Sequence, residues 1–532
     1  MQSFDNYLEK NPERVFIFLL LLSIPAFFIN LGLLPLFADE PTRANVALEM
    51  ILSKNYSVPT IGGEFYYNKP PFYNWILASF YFFTGSYSEF VTRLPAVIPM
   101  FLFAITIFIS VKYLLKDGRI ALVSGMFFIL NGRMLLYDSM LGHIDIFYSW
   151  LTFISFMCIF YFYQKQKWFL LFLSSYVITA ICFLSKGLPS IVFQGFTIIT
   201  LFAYTKNYKK FFSWQHIVSG IICLLVIAAY FYNYSLHNPN LEGYLATIWD
   251  QSSQRTAGRA GFSKSVKHLL MFPIEHLGHL FPASLMILFC FHKQFMPGIK
   301  NNPFLKFISL VFLANIWVYW LSPETRPRYL LMLYPLLIII LTHAYFTYRD
   351  ALPRLNKLFN GLLIAIAAII LLAVPAAAIA GKIPDVPFLI LKTATLTIAF
   401  ALALWLIIKS KSYKLVAFLV VLVFVRLGFS WFVLPKRALE QEANYFKKAS
   451  IEMGEMSGKD PFYFYQYHPE VVRIPFHDRL IFYIERTRKA KVKFAEEDTK
   501  PGYYLTFDRD LKNPGATLLK TYQDNLKLFK VQ

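Results

Sequence analysis

Stretches of about 17–25 apolar residues recur through this chain from Val15 to residue 434. That is the length a helix needs to cross the hydrocarbon core of a bilayer. They lie near 15–37, 91–115, 119–136, 145–163, 169–184, 188–204, 214–234, 276–292, 307–321, 329–347, 358–380, 388–408 and 415–434, about thirteen in all. No soluble core needs so many such runs. The chain has 532 residues, of which 57% are hydrophobic and 16% charged, and the mean hydropathy is +0.49. The pattern predicts an all-α polytopic membrane protein over 1–434. The first run lacks a small-residue cleavage site after a short apolar core, so it reads as a retained span. Cys158, Cys182, Cys223 and Cys290 all fall inside apolar runs, a placement that argues for neither disulfides nor a metal site.

The net charge of +21 does not indicate a nucleic-acid partner, because of where it sits. Residues 435–532 contribute +4 and the membrane part +17, mostly in short loops. Alternate loops hold the basic residues: Lys116 and Arg119; Lys165 and Lys167; Lys206, Lys209 and Lys210; Lys293, Lys300 and Lys306; Arg349, Arg354 and Lys357; Lys409, Lys411 and Lys414. Only Asp117 and Asp350 oppose them. By the positive-inside rule these loops are cytoplasmic, which puts the N-terminus inside and the C-terminal region outside.

The long interruption Phe37–Gly85 then lies outside. It carries two carboxylates, Asp39 and Glu40, directly after an apolar run. Pro41 opens a helix with Glu40 as its cap, and Arg43 stands four and three residues beyond the acids, in salt-bridge register. A second, aromatic-rich helix opens at Lys69-Pro70-Pro71 and stops at Gly85, too short to span and suited to the interface. The bland reading, a cap and an interfacial anchor, suits each residue alone. The combination in one loop of this length points to function.

Other unusual polar groups fall on the same outer side. These are Asp138 and Asp145, Lys186, the 235–275 loop with Arg255, and the SPETRPRYLLMLYP segment with Arg326, Arg328 and Tyr329. Singly, each reads as a cap, a snorkelling lysine or a headgroup contact. Together they suggest a site for an anionic substrate. Arg426 falls inside the last span and has no evident role. Residues 435–532 change character. Strand-like runs DPFYFYQY, DRLIFYIE, GYYLTFD and LKLFKVQ follow a helical start, which reads as a soluble α/β domain. Phosphate-loop, HExxH, nucleophile-elbow and dinucleotide signatures are absent.

Outer-face chemistry without nucleotides needs an activated donor already in the membrane. A polyprenyl-phosphate sugar is one: its phosphate is the leaving group and Arg and Lys stabilise the charge it develops. A carboxylate serves the acceptor as base or orienting group.

DEPTR at 39–43, EM at 49–50, VP at 58–59, the run ending YNKPPFYNW at Trp75, TRLPAV at 92–97, IDIFYSWLTF, FLSKGL, Arg255 and TRPRYLLMLYP at 325–335 carry a resemblance. In order along the membrane part, they make the chain similar to the GT-C integral-membrane glycosyltransferases. More narrowly, it resembles the bacterial aminoarabinose-transferase branch related to protein O-mannosyltransferases. The resemblance implies inverting transfer of a sugar from a polyprenyl (undecaprenyl) phosphate to lipid A, another envelope glycolipid or a protein hydroxyl, in the bacterial inner membrane. It implies Asp39 as the catalytic carboxylate, with Glu40 and Arg43 ordering it and Asp145 as a second acidic position. Donor-phosphate contacts would come from Lys69, Arg255, Arg328 and Tyr329, with Lys186 and Arg326 beside them. Relatives often carry Glu before the Lys-Pro-Pro, where this chain has Asn68, removing a carboxylate that would face an aminosugar. No cofactor or metal is required; the acids show no tight ligand spacing, which leaves a divalent cation bridging acid and phosphate open but not indicated. Membrane lipids are the remaining expected partners.

Two other classes fit the sequence less well. A flippase for an anionic lipid should show charges at mid-membrane and paired, interrupted spans in two halves, neither of which the sequence has. A scaffold leaves Asp39 and the basic set without a purpose.

Overall fold

The computed structural model describes residues 2–253, 261–383, 386–440, 442–466 and 477–532, so Arg255 lies outside the described residues. The backbone falls into two compact units. The first comprises residues 1–31, 96–228 and 249–436; the second comprises 32–95, 229–248 and 437–532.

The first unit is helical. Across the described residues, nine helices are long and apolar enough to cross a membrane, from Glu89–Leu114 to Lys414–Glu440. The pair Ser263–His279 and Ala283–Phe291, bent by 114°, makes ten if counted as one broken span. Pro189–Thr205 and Tyr334–Tyr348 are shorter apolar helices, and Pro12–Phe28 has 17 residues. Each expected run therefore meets a helix, but fewer than thirteen reach full spanning length. The run expected at 276–292 is not one straight helix. Pro282 offers no N–H and turns Phe281 away from helical geometry, so the chain breaks there.

Arg426, without a role in the sequence, finds a local one here. Its guanidinium donates to the Leu135 carbonyl at 2.6 Å, at the end of the short helix Gly132–Leu136. It lies over the rings of Phe27 at 4.8 Å and Phe429 at 5.4 Å. A terminal helix carbonyl has no partner within its own helix, and aromatic faces attract a cation. Arg426 thus ties two helices together inside the unit.

The second unit begins with α1 (Glu40–Ser53), then a two-stranded turn, β1 (Thr60–Ile61) with β2 (Glu64–Phe65), and α2 (Phe72–Thr84). Gly85 ends α2 in the left-handed conformation, the stop its glycine allows. The tail adds α3 (Ala443–Ser457), β3 (Phe462–Tyr465), α4 (His477–Arg488), β4 (Lys493–Ala495), β5 (Gly502–Phe507), β6 (Ala516–Thr521) and β7 (Leu526–Val531). The sheet order is β4-β3-β5-β7-β6. β3 runs parallel to both neighbours, whereas β7 is antiparallel to β5 and β6.

DRLIFYIE is helical, contrary to the strand expected. Both of its faces are covered: Leu480, Ile481 and Ile484 join the sheet core with Phe464, Leu505 and Leu528, and Phe482 and Tyr483 pack on Leu36, Ala44 and Leu48 of the first loop. A segment buried on two sides loses the one-sided pattern that distinguishes helix from strand.

Polar groups bind the tail to the first loop within this unit. Tyr483 accepts the Leu36 amide at 3.0 Å and donates to Glu89 at 2.9 Å, and Glu89 also takes Lys447 at 2.5 Å and Arg486 at 3.2 Å. The Glu49 carboxylate holds the β1–β2 turn through the Thr60 hydroxyl at 2.5 Å and the amides of Gly62 and Gly63, and pairs with Lys491 at 3.2 Å.

Glu485 is fully buried nearby and accepts the Val492 amide at 2.9 Å. Burial first, and then the Glu49 carboxylate, push its pKa well above the usual carboxylate range. An acid raised in the folded state stabilises fully below its unfolded value of about 4.3, and that contribution is lost as pH climbs towards the folded value. The Glu485 contribution to the pH slope should therefore favour unfolding as pH rises from about 4 towards neutrality, opposite in sign to that of carboxylates held low such as Glu89. Glu485→Gln should flatten that slope and raise the neutral-pH melting temperature; an unchanged slope would show that Glu485 does not set it.

Candidate active site

In the second unit, the first apolar run gives way to turns and irregular chain, and α1 starts at Glu40 with Pro41 in its first turn. Asp39 occupies the cap position but makes no capping hydrogen bond, and it is exposed. Glu40, one residue on, is fully buried. Arg93 Nε meets its Oε1 at 2.9 Å and a second guanidinium nitrogen meets Oε2 at 3.1 Å; Oε2 also accepts the Phe37 amide at 2.8 Å. A bidentate guanidinium and a backbone amide are what a carboxylate needs to leave water. Neighbouring acids in the sequence are thus separated by environment, one facing solvent and one committed to the fold.

Arg43 does not form the ion pair its register suggested. Glu40 has taken Arg93 instead, and the Arg43 guanidinium lies over the Tyr66 ring at 5.6 Å. Tyr66 is buried, and burial raises its pKa. Arg43 acts in the opposite direction, and Asp478 and Asp39 reinforce the rise, so the phenol stays neutral. Lys69 sits half-buried on the bend before Pro70.

The first unit holds a cationic cluster. Asp145 stands in the first turn of the helix Ile144–Gln164 and Lys186 at the end of Trp168–Lys186. Arg328 and Tyr329 belong to the short turn Pro327–Leu330. Lys186 Nζ is 2.5 Å from Asp145 Oδ1, and Arg328 Nε is 3.2 Å from Oδ2. The three charged side chains are only 5–6% exposed. Lys186 faces the Tyr329 ring at 4.3 Å and the Tyr148 ring at 4.8 Å, and Arg328 approaches His143 at 3.3 Å. Helix ends meet here because a carboxylate is favoured at a helix N-terminus and an ammonium at a C-terminus. Beside them Arg133 grips Asp138 with two contacts, 2.7 and 2.9 Å. Burial nevertheless raises Asp138, to about 6, against the pull of Arg133.

Known proteins share this architecture. Residues 68–232 match the model of a family described as dolichyl-phosphate-mannose-protein mannosyltransferase. The crystal structure of ArnT from Cupriavidus metallidurans bound to undecaprenyl phosphate superposes with a TM-score of 0.67 at 15% identity, covering 96% of this chain and 97% of that one. The chain has the ArnT fold. Its apo state gives a TM-score of 0.65 at 14% identity with the same coverage. The sequence resemblance to the GT-C transferases, and to this branch among them, agrees with both. No curated protein matches the chain by sequence.

The residues singled out from sequence sort by unit. Asp145, Lys186, Arg328 and Tyr329 come together in the first. Arg326 belongs to the same unit but is exposed and stands outside the cluster. Asp39, Glu40, Arg43 and Lys69 belong to the second. Sequence reasoning passed over Arg93, although TRLPAV was recognised as a motif. It also missed Tyr66, His143 and Asp478, whose partners lie far along the chain, and Arg133, whose partner Asp138 is five residues on.

Removing one partner of the Glu40–Arg93 pair should be severe. Arg93→Met should cost about 3–5 kcal/mol by leaving a buried carboxylate unpaired, and Glu40→Gln in the same chain should recover part of it. Thermal unfolding of the parent and the two variants in one detergent checks this; equal stability of single and double variants would contradict it.

Proposed function

We propose that this chain is a multi-pass membrane glycosyltransferase that moves a sugar from a polyprenyl phosphate to an acceptor at the outer face of a bacterial inner membrane. The observation that carries this reading is the buried set Lys186–Asp145–Arg328. Two cations share one carboxylate there, flanked by Tyr148 and Tyr329. Buried, hydrogen-bonded cations at the ends of apolar helices suit a phosphate whose tail stays in lipid. The fold of ArnT, itself solved with undecaprenyl phosphate, supports the same donor class.

The acceptor oxygen bonds to the anomeric carbon as the bond from that carbon to the phosphate oxygen breaks, with inversion. Polyprenyl phosphate leaves, and Lys186 and Arg328 stabilise its developing charge. Tyr329 walls the lysine, and Asp145 fixes both cations in place. The sequence resemblance assigns Lys69, on its bend before two prolines, to the donor phosphate. Asp39, exposed at the start of α1, is the reacting carboxylate. It takes the proton of a hydroxyl acceptor, or orients an acceptor that is already an anion, as a lipid A phosphate is. Lipid A or another envelope glycolipid is the acceptor this reading favours. The N-terminus is cytoplasmic, and residues 435–532 stand on the acceptor side as a soluble region.

Asp39→Asn should abolish transfer while insertion and donor binding persist; near-normal turnover would remove Asp39 from the reaction. Arg328→Gln should weaken undecaprenyl phosphate binding by about 1.5–3 kcal/mol, the worth of a charged hydrogen bond. Mass spectrometry of lipid A and envelope glycoproteins from cells with and without the protein names sugar and acceptor together. Identical profiles from both cells would contradict the transferase reading.

A further inference from the structure

A basic pocket stands at the far end of the helix that follows the Arg328 turn. Tyr334–Tyr348 begins beyond Pro327–Leu330 and leads to Arg349, about 22 Å further on at the rise of an α-helix. There the starts of Pro353–Ile379 and Lys414–Gly428 flank a pocket of about 580 Å³. All of it belongs to the first unit.

One face of Pro353–Ile379 forms a wall of this pocket. Asn356, Lys357, Asn360, Gly361 and Ile364 recur at helical spacing and share a stripe. The stripe is graded, with polar side chains near the helix start, then a glycine, then an apolar residue. A Cβ on Gly361 would meet nothing within 4 Å, so the glycine borders open space. Asn360 donates to the Asn356 side-chain oxygen at 3.1 Å, which leaves the Asn356 amide its own donors.

Three cations line the pocket, and two are fixed in advance. Arg349 donates to the Ser412 carbonyl at 2.6 Å, lies over the rings of Tyr345 and Phe346 at 5.5 and 5.2 Å, and is 11% exposed. Lys414 Nζ donates to the Ile407 and Ile408 carbonyls at 2.7 and 3.1 Å, at the end of Leu389–Lys409. Lys357 is exposed. The one acid in the lining, Asp350, is 3.8 Å from Arg349 and 86% exposed, so water screens most of its charge. Asp5 is committed to the 410–412 loop, where it accepts the Ser410 hydroxyl and the Lys411 and Ser412 amides.

The surroundings favour one kind of anion. Pro353–Ile379 is an apolar helix of spanning length with only 11% of its window buried, and Leu358, Ile369 and Leu372 stand exposed along it. A free phosphate would use the cations alone; a phospholipid uses the cations and the apolar helix beside them. Arg349, Lys357 and Lys414 also lie in the basic loops that the positive-inside rule makes cytoplasmic, and basic pockets between helices on that side suit anionic headgroups.

We propose that this pocket binds the headgroup phosphate of an anionic glycerophospholipid of the cytoplasmic leaflet, with its acyl chains along Pro353–Ile379. Arg349, Lys357 and Lys414 hold the phosphate, and Asn356 donates to a headgroup oxygen. The site is separate from the Lys186–Asp145–Arg328 cluster and does not depend on the transferase reading.

The test uses the full chain in nanodiscs of phosphatidylcholine with a minor share of phosphatidylglycerol, and native mass spectrometry counts the lipid each protein retains. The parent should retain phosphatidylglycerol in preference to phosphatidylcholine. Lys357→Gln should weaken that preference by about fivefold, the worth of one basic residue against an anionic lipid. Gly361→Leu fills the space without removing charge and suits a helix better, and it should lower retention at least as far. Both variants should melt as the parent does in phosphatidylcholine alone, and should gain less stability than the parent when phosphatidylglycerol is added. Lys209→Gln, which removes an exposed lysine from another basic loop, should behave as the parent. Equal loss in Lys209→Gln would reduce the effect to general charge attraction and overturn the proposal, as would retention unchanged in both pocket variants. Inorganic phosphate that displaced the lipid and stabilised the parent as well as phosphatidylglycerol does would show a free-anion site and overturn it too.

Discussion

A charge that leaves water must take a counter-charge with it, and most of this molecule's specific geometry follows from that requirement. The bilayer accepts apolar helices of almost any sequence, so the apolar surface alone says little about which helix end meets which. Buried charges say more. Lys186 and Arg328 can be nearly enclosed because Asp145 lies between them at 2.5 and 3.2 Å. Glu40 can be fully enclosed because Arg93 matches it with two nitrogens. Each pairing joins segments far apart in sequence, so each specifies topology at a cost in desolvation that only good geometry offsets.

The same rule separates buried from exposed carboxylates. Glu40, Glu49 and Glu89 all have close cationic partners and little or no exposure, and each secures a segment of the second unit. Asp39 is exposed, stands at a helix start and is not spent on capping. Adjacent acids of similar intrinsic acidity thus stand in different surroundings.

How much of this was legible in the sequence depends on the range of the interaction. Helix positions were, because apolar length is a local signal; α2 opens beyond Lys69-Pro70-Pro71 and closes at Gly85 as expected. The identities of Asp145, Lys186, Arg328 and Tyr329 were legible too, because polar groups at the ends of apolar runs stand out. Partnerships were not. Arg43 has Asp39 and Glu40 in ideal register, yet Glu40 takes Arg93, 53 residues away, since a buried bidentate contact outcompetes an exposed pair worth a few tenths of a kcal/mol. Local spacing lists the candidates for a bond; tertiary burial chooses among them. The expected run at 276–292 is bent, and the local signal for that, Pro282, lies inside an apolar length that masks it.

The tail shows the same limit in another form. A boundary at 435 is evident from composition, and a change in composition ordinarily marks a separate domain. The backbone instead unites residues 437–532 with 32–95 and 229–248. The β1–β2 turn shows why the two cannot be treated apart. Gly62 adopts φ +61°, and a Cβ there would lie 2.5 Å from the ring of Phe494, the central residue of β4. Lys491, next to that strand, pairs with the glutamate that holds the turn. From this turn the chain runs directly into Tyr66 and Lys69. The segment that carries those two residues is therefore shaped by the tail's own side chains, and any change in the tail that alters its packing reaches them through a contact with no room to absorb it.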